Sequence, residues 1–232
     1  MKRTIWAVLV LALGIGLWGL NASPAAAFNV TANVTADNHY VLYTGNADGS
    51  ILNRIGRNET TYGGNPGTYN WSRAESFAFT IAPGQYFYVA VWDDKTVDQM
   101  WSGEFTISGV GTLLSNKTDW VYYKTSISNP VTSSPYNSGD VTDAAVAAEI
   151  AAASWAAPLV SKTQGSSPWG TIPDFTNSPE FVWHNNFGKP NSDDGFVILY
   201  RTEQSIVPLP STVLLLGAGL LNLARKRFFK NN

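Results

Sequence analysis

The chain has 232 residues, with 15 Lys and Arg, 17 Asp and Glu, two His and no Cys. Lack of cysteine excludes thiol catalysis, iron–sulfur clusters and cysteine zinc sites, and two histidines exclude a three-histidine metal centre. Two of the 15 basic residues, Lys2 and Arg3, lie at the start and four, Arg225, Lys226, Arg227 and Lys230, at the end, so the middle holds nine against 17 acids and a net charge of −8; such a surface repels nucleic-acid phosphates, and no nucleic-acid partner is expected.

At the N-terminus, Lys2 and Arg3 precede an apolar run from Ile5 to Leu20, followed by Pro24 and small residues at Ala25 and Ala27. A charged n-region, an apolar h-region and an A-x-A site predict a secretory signal peptide over residues 1–27, cut after Ala27. The alternative is an uncleaved N-terminal anchor. Residues 28–206 are then expected to form one domain, and 207–232 a separate tail.

Within that domain the pattern is that of strands. "HYVLYT" comes first. In "ESFAFTIAPGQYFYVAVWDD" Phe77, Phe79 and Ile81 alternate with Ser76, Ala78 and Thr80, a period of two. Ala82-Pro83-Gly84-Gln85 is a turn signal, and "YFYVAVW", aromatic and β-branched on both faces, predicts a central, well-covered strand. "GEFTIS" and "WVYYKT" follow. "ISNPVTSSPYNSGD" reads as a long exposed loop. The Ala-rich segment from Val141 to Pro158 predicts one helix over about residues 143–156. Thr142 would be its N-cap, Asp143 would favour the positive end of the dipole and Pro158 would stop it, with Ile150 and Trp155 packing on the sheets. "EFVW" and "GFVILYRTE" are the last strands. Short strands separated by Gly-, Asn-, Ser-, Asp- and Pro-rich turns predict an all-β sandwich or barrel.

The end of the chain, "VPLPSTVLLLGAGLLNLARKRFFKNN", has a different character. Val207 to Ala224 is 18 residues, which as a helix spans roughly 27 Å against a hydrocarbon core of ~30 Å. Arg225, Lys226 and Arg227 extend the span by snorkelling and place the C-terminus in the cytoplasm. Pro208 and Pro210 hold the preceding chain extended. Proline motif, hydrophobic helix and basic cluster in this order resemble the PEP-CTERM sorting signal of Gram-negative bacteria. Val207, Pro208 and Pro210 match the usual V-P-E-P motif, and Leu209 stands where that motif has glutamate, as in a variant branch. The resemblance implies recognition by an exosortase-type processing protease, transient residence in the inner membrane through the C-terminal helix, and release to the cell surface or extracellular matrix. Such proteins are associated with exopolysaccharide. The alternative is a plain C-terminal anchor.

Less specifically, "TADNHYVLYTGN", "APGQYFYVAVWDD", "SSPWGTI" with "PEFVWHNN", and "GFVILYRTE" are similar to successive strands of galactose-binding-like domains. This implies a jelly-roll β-sandwich with one Ala-rich helix, flanked by an N-terminal signal helix and a C-terminal hydrophobic helix.

Seven tryptophans follow the signal segment: Trp71, Trp92, Trp101, Trp120, Trp155, Trp169 and Trp183. Most are expected in the core. Trp92 and Trp101 flank "DDKTVDQM", a loop at one end of the sandwich. If exposed, they would form a sugar platform with Asn38, Asp93 and Asp94, since aromatic faces stack on sugar C–H faces while a few polar groups orient the ligand. Asp93, Asp94 and Asp98 are candidate Ca2+ ligands, and "NSDDG" at 191–195 offers a second acidic turn; the alternative is solvated turns. No other cofactor is expected. There is no G-x-S-x-G elbow, and seventeen acids always contain some pair of carboxylates, so their number does not argue for catalysis. His39 and His184 read as structural. Five N-x-S/T sites, at Asn29, Asn33, Asn58, Asn70 and Asn116, read as a Thr- and Asn-rich β surface. The expectation is an exported, non-catalytic surface or matrix protein that binds or embeds in polysaccharide. The alternatives are a secreted carbohydrate-active hydrolase and a purely structural coat or adhesion protein.

Overall fold

Period-two alternation in the sequence becomes buried and exposed faces in the computed structural model, which describes residues 26–58, 71–93, 98–134, 137–138, 141–157, 160–187 and 195–207. Ala25 and the rest of the predicted signal helix, Asp94, Pro208, Leu209, Pro210 and the cluster Arg225, Lys226, Arg227 lie outside these residues. In β4 (Glu75–Ile81) the side chains of Phe77 and Ile81 are buried, while Ser76, Ala78 and Thr80 are exposed.

Two antiparallel sheets form a β-sandwich. The first contains β1 (Phe28–Asp37), β4, β6 (Met100–Ile107), β11 (Val160–Lys162) and β12 (Phe181–Trp183), in the order β11-β12-β6-β1-β4, with β7 (Gly111–Leu114) also pairing with β6. The second contains β2 (His39–Gly45), β3 (Leu52–Arg57), β5 (Tyr86–Trp92), β8 (Trp120–Ser128) and β13 (Phe196–Thr202), in the order β3-β2-β5-β13-β8. A small hairpin of β9 (Val131–Ser134) and β10 (Asn137–Ser138) stands apart, inside the segment expected to be a loop. The chain changes sheet repeatedly, so neighbouring strands come from distant sequence.

Aromatic rings from both sheets fill the space between them. Phe87 of the second sheet stacks on Phe105 of the first at 4.8 Å, and Trp101 of the first meets Trp120 edge-on at 4.6 Å and Tyr200 at 5.4 Å. Offset and edge-to-face pairs add about 0.5–1.5 kcal/mol each to the burial of such rings.

The outer face of the second sheet is covered as well. The helix α1 (Asp143–Ala152) lies there, with Val146 and Ile150 buried beside Val41, Tyr43, Ala90 and Leu199. This double cover explains why six of the seven residues of β5 are buried, as its sequence predicts. The Thr142 side chain caps α1 by accepting from the Ala145 N–H. Arg54 of β3 fastens the same end, with its Nε 2.7 Å from Asp143 Oδ1 and its Nη2 donating to the Val141 carbonyl at 2.6 Å. The helix is shorter than its alanine content predicts. Ala153 is already extended, and Ala156 instead exchanges two backbone hydrogen bonds with Tyr122 of β8, at 2.6 and 2.9 Å. Sheet pairing therefore outcompetes local propensity. Trp155 sits beyond the helix and packs near Tyr88 and Tyr123, with the Arg201 guanidinium 4.6 Å from its ring centroid.

Gly56 of β3 marks a close approach between the sheets, because a Cβ there would overlap the Phe77 ring. That ring is buried edge-on against Tyr40. Gly56→Ala is expected to destabilise by about 1–3 kcal/mol through overpacking, read as a lower urea midpoint at unchanged m-value.

Both ends of the sandwich meet at one turn. Ala82–Gln85 forms the turn expected from its Pro-Gly signal, with Gly84 at φ +83°. Phe28 lies opposite Ile81, just before this turn. At the other end of the chain, Ile206 accepts from the Gly84 N–H at 2.7 Å and donates to the Gln85 carbonyl at 2.8 Å. Ile206 is buried, whereas the next residue, Val207, is 61% exposed. Among the described residues no helix is long and apolar enough to cross a membrane.

Candidate functional site

Trp92 and Trp101, at the ends of β5 and β6 that flank the loop between them, do not form a platform. Trp92 is 1% exposed and Trp101 0%. The Trp92 ring lies parallel to His39 at 5.4 Å, with the Arg57 guanidinium 5.7 Å from its centroid. Trp101 is enclosed by Trp120 and Tyr200. Neither presents a free face to a sugar. The expectation of an exposed pair fails because Trp101 turns into the space between the sheets against Trp120 and Tyr200, while Trp92 is buried on the outer face of the second sheet against His39 and Arg57 of neighbouring strands.

Asp93 of the same loop is also spoken for. Asp93 is 2% exposed; its carboxylate accepts from Gln99 Nε2 at 3.0 Å and its backbone carbonyl from Asn129 Nδ2 at 2.8 Å. Asp98 is half-buried, and the Asn38 carbonyl accepts from Asn58 Nδ2. Asn38, Trp92 and Asp93 thus share one pole as structural members, holding adjacent strand ends together. Among the described residues no group of three His, Asp or Glu converges to hold a metal ion.

A cleft lies elsewhere, where the facing sheets part between their edge strands β3 and β4. Its volume is about 760 Å³. Thr44 of β2 and Asn53 of β3 supply polar side chains to its lining; residues 29–31 of β1 and 78–80 of β4 line it from the first sheet, with Asn29, Thr31 and Thr80 at that sheet's outward positions. Val30, Ile55, Ala78 and the half-buried Phe79 supply the apolar part. None of these nine side chains is charged, in a chain whose middle carries −8. The cleft lies toward the pole at which the two chain ends meet, since Thr80 and Asn29 are paired neighbours of Ile81 and Phe28. Its only signal in the sequence is the alternating Asn and Thr of "NVTANVT". Nothing linear brings residues 53–55 beside 78–80.

Two carboxylates near the other pole have displaced proton affinities. Burial pushes the Glu75 carboxyl up to about 7, against the lowering effect of its hydrogen bond from Tyr40 and with a small upward contribution from the Asp174 charge. The Tyr40 hydroxyl lies 2.8 Å from Glu75 Oε2 and 3.1 Å from the Val34 carbonyl, and has one proton for two acceptors. Neutral Glu75 resolves this: its own O–H donates to the Tyr40 oxygen, and Tyr40 donates to Val34. At Asp174, desolvation acts upward, but the fork from Arg73, at 2.7 and 2.6 Å, and the Ala74 N–H hold the carboxylate below its usual range. Neither carboxylate lines the cleft.

Glu104 has a fastening role. Its carboxylate accepts from the backbone N–H groups of Thr176 and Asn177 at 3.1 and 2.7 Å and from the side chains of Asn33 and Asn177. Desolvation opposes its ionisation, but these donors outweigh it and lower its pKa. The loop before β12 is thereby fixed to the outer face of the first sheet.

No protein-family model, no curated protein and no solved structure matches this chain.

Proposed function

We propose that this is an exported bacterial surface or extracellular-matrix protein whose sandwich, a jelly roll of the galactose-binding-like kind, associates with exopolysaccharide without catalysis. The supporting observation is the meeting of both ends at the Ala82–Gln85 turn, with Ile206 clamped and Val207 exposed directly after it. Segments that leave a body at one pole can be removed without cutting into either sheet. This suits terminal segments that serve only as addresses: a signal peptide ending at Ala27, and a sorting tail beginning at Val207 that passes through the inner membrane and is processed by an exosortase-type protease.

Intact-mass measurement of protein shed from the cell surface is expected to give a chain that starts at Phe28 and lacks Arg225, Lys226 and Arg227. Full-length chain resident in the cytosol would overturn the reading. The same shed material, with and without Ca2+, is expected to be retained on polysaccharide without shortening it.

A hydrolase is the second reading, and Glu75 is the observation in its favour. A carboxyl raised to about 7 interacting with a carboxylate held low is how an acid and its partner are set apart. New reducing ends that appear with the wild-type protein and vanish with Glu75→Gln would establish that reading over ours.

A further inference from the structure

We propose that the cleft between β3 and β4 binds an uncharged stretch of polysaccharide and rejects chains bearing uronate, sulfate or phosphate groups. This rests on the reading that the protein works among exopolysaccharides, and adds the site and the chemical class of the ligand.

The volume of about 760 Å³ falls within the range of small-ligand sites, ~300–1,000 Å³. Its polar lining consists of amides and hydroxyls, which both donate and accept, as sugar hydroxyls do. Asn53 and Thr80 are exposed and belong to strands of two different sheets that both line the cleft. Phe79 rests edge-on against Phe87 at 6.1 Å and is only half-buried, so part of its ring is left for C–H faces. β3 and β4 are also the outermost strands on this side, each with a described strand partner along one edge only. Their outward backbone N–H and C=O groups add further positions for hydroxyls.

The same lining sets the selectivity. An anionic sugar entering the cleft would lose water without meeting a cation, because no Lys or Arg is among its described lining residues. The net charge of −8 on the surrounding body adds a repulsion that a neutral chain does not feel.

The test uses the processed protein recovered from the cell surface, titrated calorimetrically with neutral hexasaccharides of glucose, mannose or galactose and with oligo-uronates of matching length. Saturable binding of at least one neutral hexasaccharide is expected, with oligo-uronates about tenfold weaker or worse. Asn53→Asp and Thr80→Asp, both at exposed positions, are each expected to weaken the neutral ligand about tenfold at unchanged melting temperature. Asn53→Lys is expected to narrow or reverse the preference over uronates. Equal binding of neutral and anionic chains, absence of saturable binding, or indifference to both aspartate variants would overturn the site. Surface location is scored separately on the wild type. Protein found at the surface but binding no neutral chain sinks the cleft and leaves the export reading standing; uncut cytosolic protein that does bind sinks the export reading and leaves the cleft.

Discussion

Trp101→Ala is expected to destabilise the fold by about 4 kcal/mol, at the upper end of large-to-small core substitutions. Trp101 is fully buried and is the first sheet's contribution to an aromatic knot completed by Trp120 and Tyr200 of the second, at 4.6 and 5.4 Å. Truncation removes the ring's burial, both ring contacts and part of what spaces the sheets, and the rigid strands on either side cannot collapse into the gap. Trp101→Phe is expected to lose much less, because the indole N–H is buried without a hydrogen-bond partner and its removal orphans nothing. Urea unfolding followed by far-UV circular dichroism measures both. A loss below about 1 kcal/mol for the alanine variant would mean that the residue is not in the core described.

Glu75→Gln is expected to do the reverse and stabilise the protein, increasingly as pH rises from about 4.5 to 7. The folded carboxyl has a pKa of about 7 against an ordinary value of 4.5. Below 4.5 the carboxyl is neutral in folded and unfolded chains alike. Between 4.5 and about 7 the unfolded chain ionises while the folded one keeps its proton, so stability falls as pH rises; above 7 the slope ends. The accumulated loss is roughly 3 kcal/mol by linkage at 1.36 kcal/mol per pKa unit. Glutamine keeps the neutral arrangement, since its Nε2 donates to the Tyr40 hydroxyl and leaves Tyr40 free to donate to Val34. The variant should therefore match wild type near pH 4 and exceed it by about 2–3 kcal/mol at pH 8, measured by denaturation at a series of pH values. A wild type and variant that track each other across the range would show that Glu75 is solvated. Glu104 has the opposite sign: its lowered pKa gives stability that is present at neutral pH and lost as pH falls through the folded value.

The contrast between β4–β5 and the cleft shows what local pattern carries. "ESFAFTIAPGQYFYVAVW" contains its own evidence: alternation for a half-covered edge strand, a Pro-Gly turn, then apolar residues on both faces for a strand covered twice. Each of these statements is about neighbours in sequence. The burial of Trp92 and Trp101 is not. It depends on His39 and Arg57 in one case and on Trp120 and Tyr200 in the other, and these arrive through changes of sheet that no local signal announces. β1 was hidden because Thr and Asn occupy its outward positions and small Ala two of its four inward ones, beside Val30 and Val34, which weakens a hydrophobic alternation without breaking it. The end of α1 was misjudged for a related reason: alanine favours helix wherever it stands, and only the partner strand β8 draws Ala156 away. The cleft is the extreme case, because it is a property of two edges that meet only after both sheets have formed.

The clamp at Ile206 has a mechanical consequence. If, as proposed, the tail is held by a membrane while the body holds a sugar chain, tension would enter at Val207 and leave through β3 and β4. The shortest route between them crosses the two hydrogen bonds of Ile206 to Gly84 and Gln85 and the turn they join. The aromatic knot, α1 and the far loops lie off that line. Pulling would then peel the last clamped residue before it strained either sheet, so the joint would act as a fuse, giving way just before the exposed Val207 while the body stays folded.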